Sequence, residues 1–437
     1  MARVRKFVMN DSIDNNNNSA VAREVPQSDW AAQLNTLGRH VGADSIVPIE
    51  VDSLLIAASA ITGLSDYGDD GFREGLTALV DSLNKEAELT LTGRLIARTE
   101  ISRILQSRLA IIDTEKKHPE IADEEIIEPL FIVGMGRTGS SILYEYFMQD
   151  PAHRAPVAWE KKLPAPAQVP GDETQAMDRI EWIEAETRLM YEIDSSLMSK
   201  HEAHARLPEE CSQLMAHEFQ SGHFFSRNNV PGYALWNAMS DVRPAYAMHK
   251  RILQILQWRD KQHDGDKKPR WILKYGGHMG KMPELFETYP DAKVIHTHRD
   301  PSVVVQSMTS LIASLRLMRS DSFDAPTSAE MLNGGMARGL EKIIEERKQG
   351  VIPAAQIADI HFDRLMADTT GTIEQAYQQL DMPFTEAAKA AIEHYMVARP
   401  RTKHGKHEYA YADAVDIAHE KQRFASYMAH YQIAPEG

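Results

Sequence analysis

Gly134, Gly136, Arg137, Thr138, Gly139, Ser140 and Ser141 stand together in GMGRTGSS, directly after the apolar run LFIV and before a helix-like segment. Hydroxyls, an arginine and glycine-freed backbone N–H groups at the opening of a helix make an anion site, because those N–H groups are unpaired and the dipole end is positive. Three readings of such a loop compete. The glycines satisfy G-x-G-x-x-G, and Glu160 lies at about the distance where a dinucleotide fold places its ribose-binding acid, so an NAD-dependent oxidoreductase is one reading. A nucleoside triphosphatase needs a lysine where this loop has Ser140, which deprives that reading of its main phosphate cation. A tight turn that merely lets a helix pack on a strand is the third.

A second anion motif lies downstream in KVIHTHRDPSVVVQS. Lys293 to Thr297 is β-prone, Asp300 suits an N-cap and Pro301 the first helical position. Arg299 then sits at a strand end with Ser307 about two helical turns on, and both can converge on one phosphate. An isolated Arg-Asp corner is more often a cap or a salt bridge. The pair of motifs carries more: FIVGMGRTGSS resembles the 5′-phosphosulfate loop of the sulfotransferases, and HRDPSVVVQS resembles their 3′-phosphate motif. DPAHRAPVAWEKKLPAP, RLPEEC, AYAMHKRILQILQW, WILKYGGHM and RPRTKHGKHEY look like blocks of the bacterial branch of that family, so the likeness spans about residues 51 to 430.

The resemblance implies a P-loop-like α/β fold, with a parallel sheet flanked by helices, that binds 3′-phosphoadenosine 5′-phosphosulfate as co-substrate and moves its sulfuryl group to the hydroxyl of a small-molecule acceptor without a metal. It assigns Gly136, Arg137, Thr138, Gly139, Ser140 and Ser141 to the 5′-phosphate and Arg299 and Ser307 to the 3′-phosphate. Arg401, Lys403 and Gly405 become a lid. Arg137 and Lys274 would neutralise charge on the sulfonate and the leaving oxygen. His278, shortly after WILKY, is the expected general base, and Glu160 is its competitor. Two departures stand out: Arg137 replaces the lysine of many cytosolic members, and Ile142 replaces the tryptophan that follows the loop.

The elements that must hold these residues follow the same order repeatedly, a short apolar strand, a breaker and a helix, as expected of a mostly parallel sheet covered by helices. Residues 1–45 read as a flexible arm. Residues 46–125 form an N-terminal helical region, with Phe72, Leu76, Leu79, Val80 and Leu83 at helical spacing, and residues 126–437 form the catalytic domain with helical insertions. Phe224, Phe225, Tyr233 and Trp236 are candidates for an apolar acceptor wall or for plain core.

The net charge of −15 disfavours nucleic acid polymers, so an anionic ligand must meet a few local cations. A single cysteine, Cys211, allows no intramolecular disulfide and no cysteine-based zinc site. His201 and His204 miss the H-E-x-x-H spacing by one residue, and His296 and His298 share a strand face without evident co-ligands. With no uncharged run near the roughly 18 residues of a membrane span, the sequence reads as a cytoplasmic protein without integral membrane association. Two alternatives to the sulfotransferase reading stay open at this point, the oxidoreductase and a nucleotide-binding module without turnover.

Overall fold

The computed structural model describes residues 27–165, 173–264, 269–399 and 411–436. Five parallel strands form one sheet: β1 Leu130–Gly134, β2 His153–Arg154, β3 Arg270–Lys274, β4 Lys293–His298 and β5 Ile357–His361, in the order β2-β3-β1-β4-β5. All five residues of β1 are buried, as expected for a central strand covered on both faces. Phe131, Val133, Leu273 and Val294 meet Ile252 and Leu256 of the Arg243–Asp264 helix and Leu340 and Ile343 of the Ala325–Lys348 helix. Ile132, Ile272 and Ile295 face the other way, onto Leu143, Phe147, Ile373 and Tyr377. Helices therefore cover both faces, and the strand ends that carry Gly134, Lys274 and Arg299 all lie along one edge.

The N-terminal helices are Val51–Thr62, Phe72–Lys85 and Leu91–Lys117, the last capped by Thr90, whose hydroxyl accepts the Gly93 N–H. An earlier helix, Asp29–Val41, occupies part of what the sequence reads as an arm. Ala31 and Gly38 are buried on it, and its Asn35 side chain accepts the Thr92 N–H at 2.9 Å, so tertiary contact orders a stretch whose own hydrophobicity is weak. Ala43–Thr62 has the composition to cross a membrane, with mean hydropathy 1.5, but it is divided into two helices at Val47–Glu50, which contain Pro48.

The helical region does not close its core alone. Leu76, Leu79, Ile104 and Leu105 pack against Phe219, Phe224 and Tyr233 from far along the chain. Phe224 and Tyr233 are thereby buried core, and Phe225 and Trp236 are partly buried against the same cluster. At this junction Arg108 is fully buried. Its guanidinium donates to Glu218 Oε2 at 2.5 Å, to the carbonyls of Tyr67 (2.8 Å) and His217 (3.0 Å), and lies 4.2 Å from the centre of the Phe72 ring. Removing one partner of a buried pair strands the other, so Arg108→Ala should destabilise the whole chain by about 3–5 kcal/mol in urea unfolding. A loss below about 1 kcal/mol would show that this junction does not bind the two regions together.

Candidate active site

The loop after β1 owes its path to two glycines and one strained residue. Gly134 has φ 135°, and a Cβ there would lie 2.3 Å from Thr297 Oγ1, so β1 and β4 touch backbone to side chain. Gly139 has φ 82° and caps the Ser140–Phe147 helix. Arg137 adopts φ 66°, a conformation costly for a side chain of its size and common where function holds the backbone. Thr138 Oγ1 locks the loop by hydrogen bonds of 2.7 Å to Met135 O and to Thr297 Oγ1.

Register does the rest. Ile132 of β1 stands beside Lys274 of β3, and Gly134 beside Thr297 of β4. Lys274 Nζ reaches Ser141 Oγ at 2.9 Å and Glu210 Oε1 at 3.1 Å. On the other side of the loop, Arg137 Nε donates to Ser307 Oγ at 3.0 Å, and Arg299 Nη1 donates to Arg137 O at 2.9 Å. The two sequence motifs, 170 residues apart at Arg137 and Ser307, are one site. Arg299 also lies 3.9 Å over the Phe362 ring and holds the Glu436 carboxylate through two hydrogen bonds of 2.8 Å, while the Glu436 N–H donates to Asp300 Oδ2 at 2.7 Å. Arg401, Lys403 and Gly405 lie outside the described residues.

Neither sequence candidate for the base stands free at this edge. His278 is fully buried, with Nδ1 2.7 Å from Tyr246 Oη and its ring packed against Phe131, Tyr246 and Tyr275. Burial, aided by Lys161, pushes its pKa down to about 3. The pair of glycines after β3 turns this residue under the sheet edge into the core. Glu160 is also buried: Oε1 accepts Arg154 at 2.7 Å and a closer Arg259, and Oε2 accepts the Val157 N–H at 3.0 Å. Burial would raise its pKa, but the Arg154 and Arg259 guanidiniums outweigh it and hold it at about 2. This carboxylate is a structural ion-pair centre rather than a ribose ligand.

The sequence reading missed the acids and histidine that do reach the edge. Cys211 N–H donates to Lys274 O at 2.8 Å, which fixes Glu209 and Glu210 beside the strand end. Arg137 Nη1 donates to Lys200 O at 3.0 Å, which fixes His201. RLPEEC was visible as a block, but only a long-range backbone bond reveals where its acids go. His296 and His298 gain a neighbour in Asp359, their ligand atoms lying within 4.8 Å of one another, yet Asp359 receives Arg347 at 2.7 and 2.9 Å, so a guanidinium already balances it.

A family model for the sulfotransferase family matches residues 129–386. The chain belongs to that family. Sulfotransferase STF1 from Mycobacterium tuberculosis superimposes with TM-score 0.74 at 29% identity, over 86% of this chain and 98% of that one. STF9 from Mycobacterium avium shares the fold, with TM-score 0.78 at 24% identity over 89% and 98%. The omega-hydroxy-beta-dihydromenaquinone-9 sulfotransferase Stf3 of Mycobacterium bovis is 26% identical over 61% of this chain, and this chain spans 66% of the length of that relative. Family membership ends the oxidoreductase reading, consistent with Glu160 being locked between arginines.

Glu160 also gives a pH test. Its pKa falls from 4.5 to about 2 on folding, so the stabilisation is complete above pH 4.5 and is lost as pH drops from there toward 2. This single group should contribute about 3 kcal/mol to that acid slope. Glu160→Gln should be less stable at pH 7 and should lose stability less steeply below pH 4.5, as measured by urea midpoints at several pH values.

Proposed function

We propose that this sulfotransferase-family chain is an enzyme that moves the sulfuryl group of 3′-phosphoadenosine 5′-phosphosulfate to an acceptor hydroxyl. The observation that carries the reading is the convergence of Arg137, Ser307 and Arg299 on one side of the loop with Lys274 and Ser141 on the other. A donor with two separated anionic groups needs two such clusters, and an ordinary nucleoside phosphate needs one. The loop N–H groups would receive the 5′-phosphate, with Thr138, Ser140 and Ser141 around it, and Arg299 and Ser307 the 3′-phosphate. Sulfuryl transfer, by analogy with phosphoryl transfer, depends on alignment and charge balance: the S–O bond to the 5′-phosphate breaks as the acceptor O–S bond forms, and Arg137 and Lys274 offset charge on the leaving oxygen.

The name of the Stf3 relative makes a hydroxylated lipid one acceptor class to test beside phenols, sterols and sugars. Transfer of labelled sulfate from the donor to such a panel tests the activity. Absence of transfer together with tight nucleotide binding would favour a binding module without turnover.

Arg299 supplies a sharper test. Arg299→Ala should weaken 3′-phosphoadenosine 5′-phosphate by about 10- to 100-fold, and adenosine 5′-phosphate far less, since only the first loses a charge-assisted hydrogen bond. Glu436, which now occupies that guanidinium, competes with the phosphate. Glu436→Gln should tighten the 3′-phosphorylated nucleotide by up to about fivefold, the scale of a half-exposed ion pair. Calorimetric titration reads both, and equal losses for the two nucleotides in Arg299→Ala would make Arg299 structural.

A further inference from the structure

The proton of the acceptor hydroxyl needs a destination, and the two groups that the sequence offers for it are sealed in the core. A half-buried imidazole stands at the edge instead. His201 follows Lys200, whose carbonyl accepts Arg137 Nη1 at 3.0 Å, so the loop arginine itself sets its position. Tyr191 Oη clamps the same turn, donating to His201 O at 3.3 Å and accepting the Ala203 N–H at 2.6 Å. Among the described residues no hydrogen bond engages the His201 ring, and the ring is not sealed from solvent.

The groups that face it come from three other elements. Glu209 and Glu210 precede the Ser212–Met215 helix, Lys274 ends β3, and Arg227 ends the Gly222–Arg227 helix. Its own turn adds Glu202, which pairs with His204 at 3.6 Å and with Arg399, and so is engaged elsewhere. Glu210 is bound to Lys274 at 3.1 Å, whereas no ion pair or hydrogen bond among the described residues holds the half-buried Glu209 carboxylate. Lys162, His201, Arg227 and Lys161 surround that carboxylate.

Resting on the sulfotransferase reading above, we propose that His201 is the general base for the acceptor hydroxyl and that the charge of the nearby Glu209 carboxylate stabilises the imidazolium. In the step, the acceptor O–H proton passes to the imidazole, the acceptor oxygen forms its bond to sulfur, and the electron pair of the breaking S–O bond stays on the 5′-phosphate of the departing 3′-phosphoadenosine 5′-phosphate. Lys274 and Arg137, both tied to the His201 neighbourhood, balance the charge that leaves.

Charge and burial agree with these roles. Burial keeps the His201 pKa below its ordinary 6.5, with Glu209 opposing and Lys274 assisting, so the ring is neutral and able to accept a proton at pH 7. Burial would raise the Glu209 pKa, but Lys162, His201, Arg227 and Lys161 together hold it at about 2, so it stays an anion throughout.

The test uses the full chain, 3′-phosphoadenosine 5′-phosphate for binding, and labelled phosphosulfate donor with water or 1-dodecanol as acceptor. His201→Gln should lower turnover by about 100- to 10,000-fold with nucleotide affinity within about twofold of wild type, and should lose the acidic fall of the rate profile. Glu209→Gln should shift that acidic limb to lower pH, because the imidazolium loses its anion; a merely structural role would leave the limb in place. His201→Gln at wild-type rates, or with the limb intact, overturns the assignment while leaving the transferase standing. Wild-type protein that binds the nucleotide but breaks down no donor with either acceptor, or that binds none, removes the transferase reading and the base with it.

Discussion

Lys274 stands beside Ser141 because Ile132 of β1 pairs in parallel with Lys274 of β3, and the chemistry of the edge depends on that register. A slip of one residue would turn Lys274 toward the opposite face of the sheet and bring its neighbour to the loop. The same strand pairs with β4 on its other side, so Gly134 meets Thr297 and the Arg299 corner arrives against the carbonyl of Arg137. Three strand ends thus deliver three cations to one place without any of them having to be close in sequence.

The site is a local inversion of the molecule's charge. A chain of net charge −15 gathers Arg137, Lys161, Lys162, Arg227, Lys274 and Arg299 around a single edge, and then offsets them with a few acids at different depths. Glu160 is wholly consumed by Arg154 and Arg259, and Glu210 leans on Lys274. Glu436 covers Arg299 from outside. Burial also lowers two lysines, Lys161 and Lys200, to about 8, so they hold their charge at neutral pH by a narrow margin.

The loop and the Arg299 corner were legible in the sequence because glycine spacing, an N-cap and a proline are local signals that need no knowledge of the fold. The parallel sheet was legible for the same reason, from repeated strand-breaker-helix order. The base was not. Two glycines after WILKY say that the chain turns, but not that His278 turns inward onto Phe131 and Tyr246, and a tryptophan followed by Glu160 does not announce two arginines, one of them Arg259 far downstream. His201 and Glu209 lacked any spacing signal, since what fixes them is a carbonyl on Arg137 and an N–H on the carbonyl of Lys274. The Asp29–Val41 helix escaped for a similar reason, being ordered by the helix it lies against.

The strand order has a cost in time as the chain is made. β1 is the central strand and is buried along its whole length, yet Leu130 pairs with Ile272 and Lys293, which are synthesised more than a hundred residues later. At cellular rates of about 5–20 residues per second, this apolar strand waits for roughly 7–30 s before its first neighbour in the sheet exists. During that interval its unpaired edges and apolar faces are open to other chains, a hazard of long-range parallel pairing. The helices built before β1 offer no shelter, because part of their own core, Phe219 to Tyr233, has yet to emerge as well. Yield in a foreign host should therefore respond to chaperone supply and to translation speed more than to the thermodynamic stability of the finished fold.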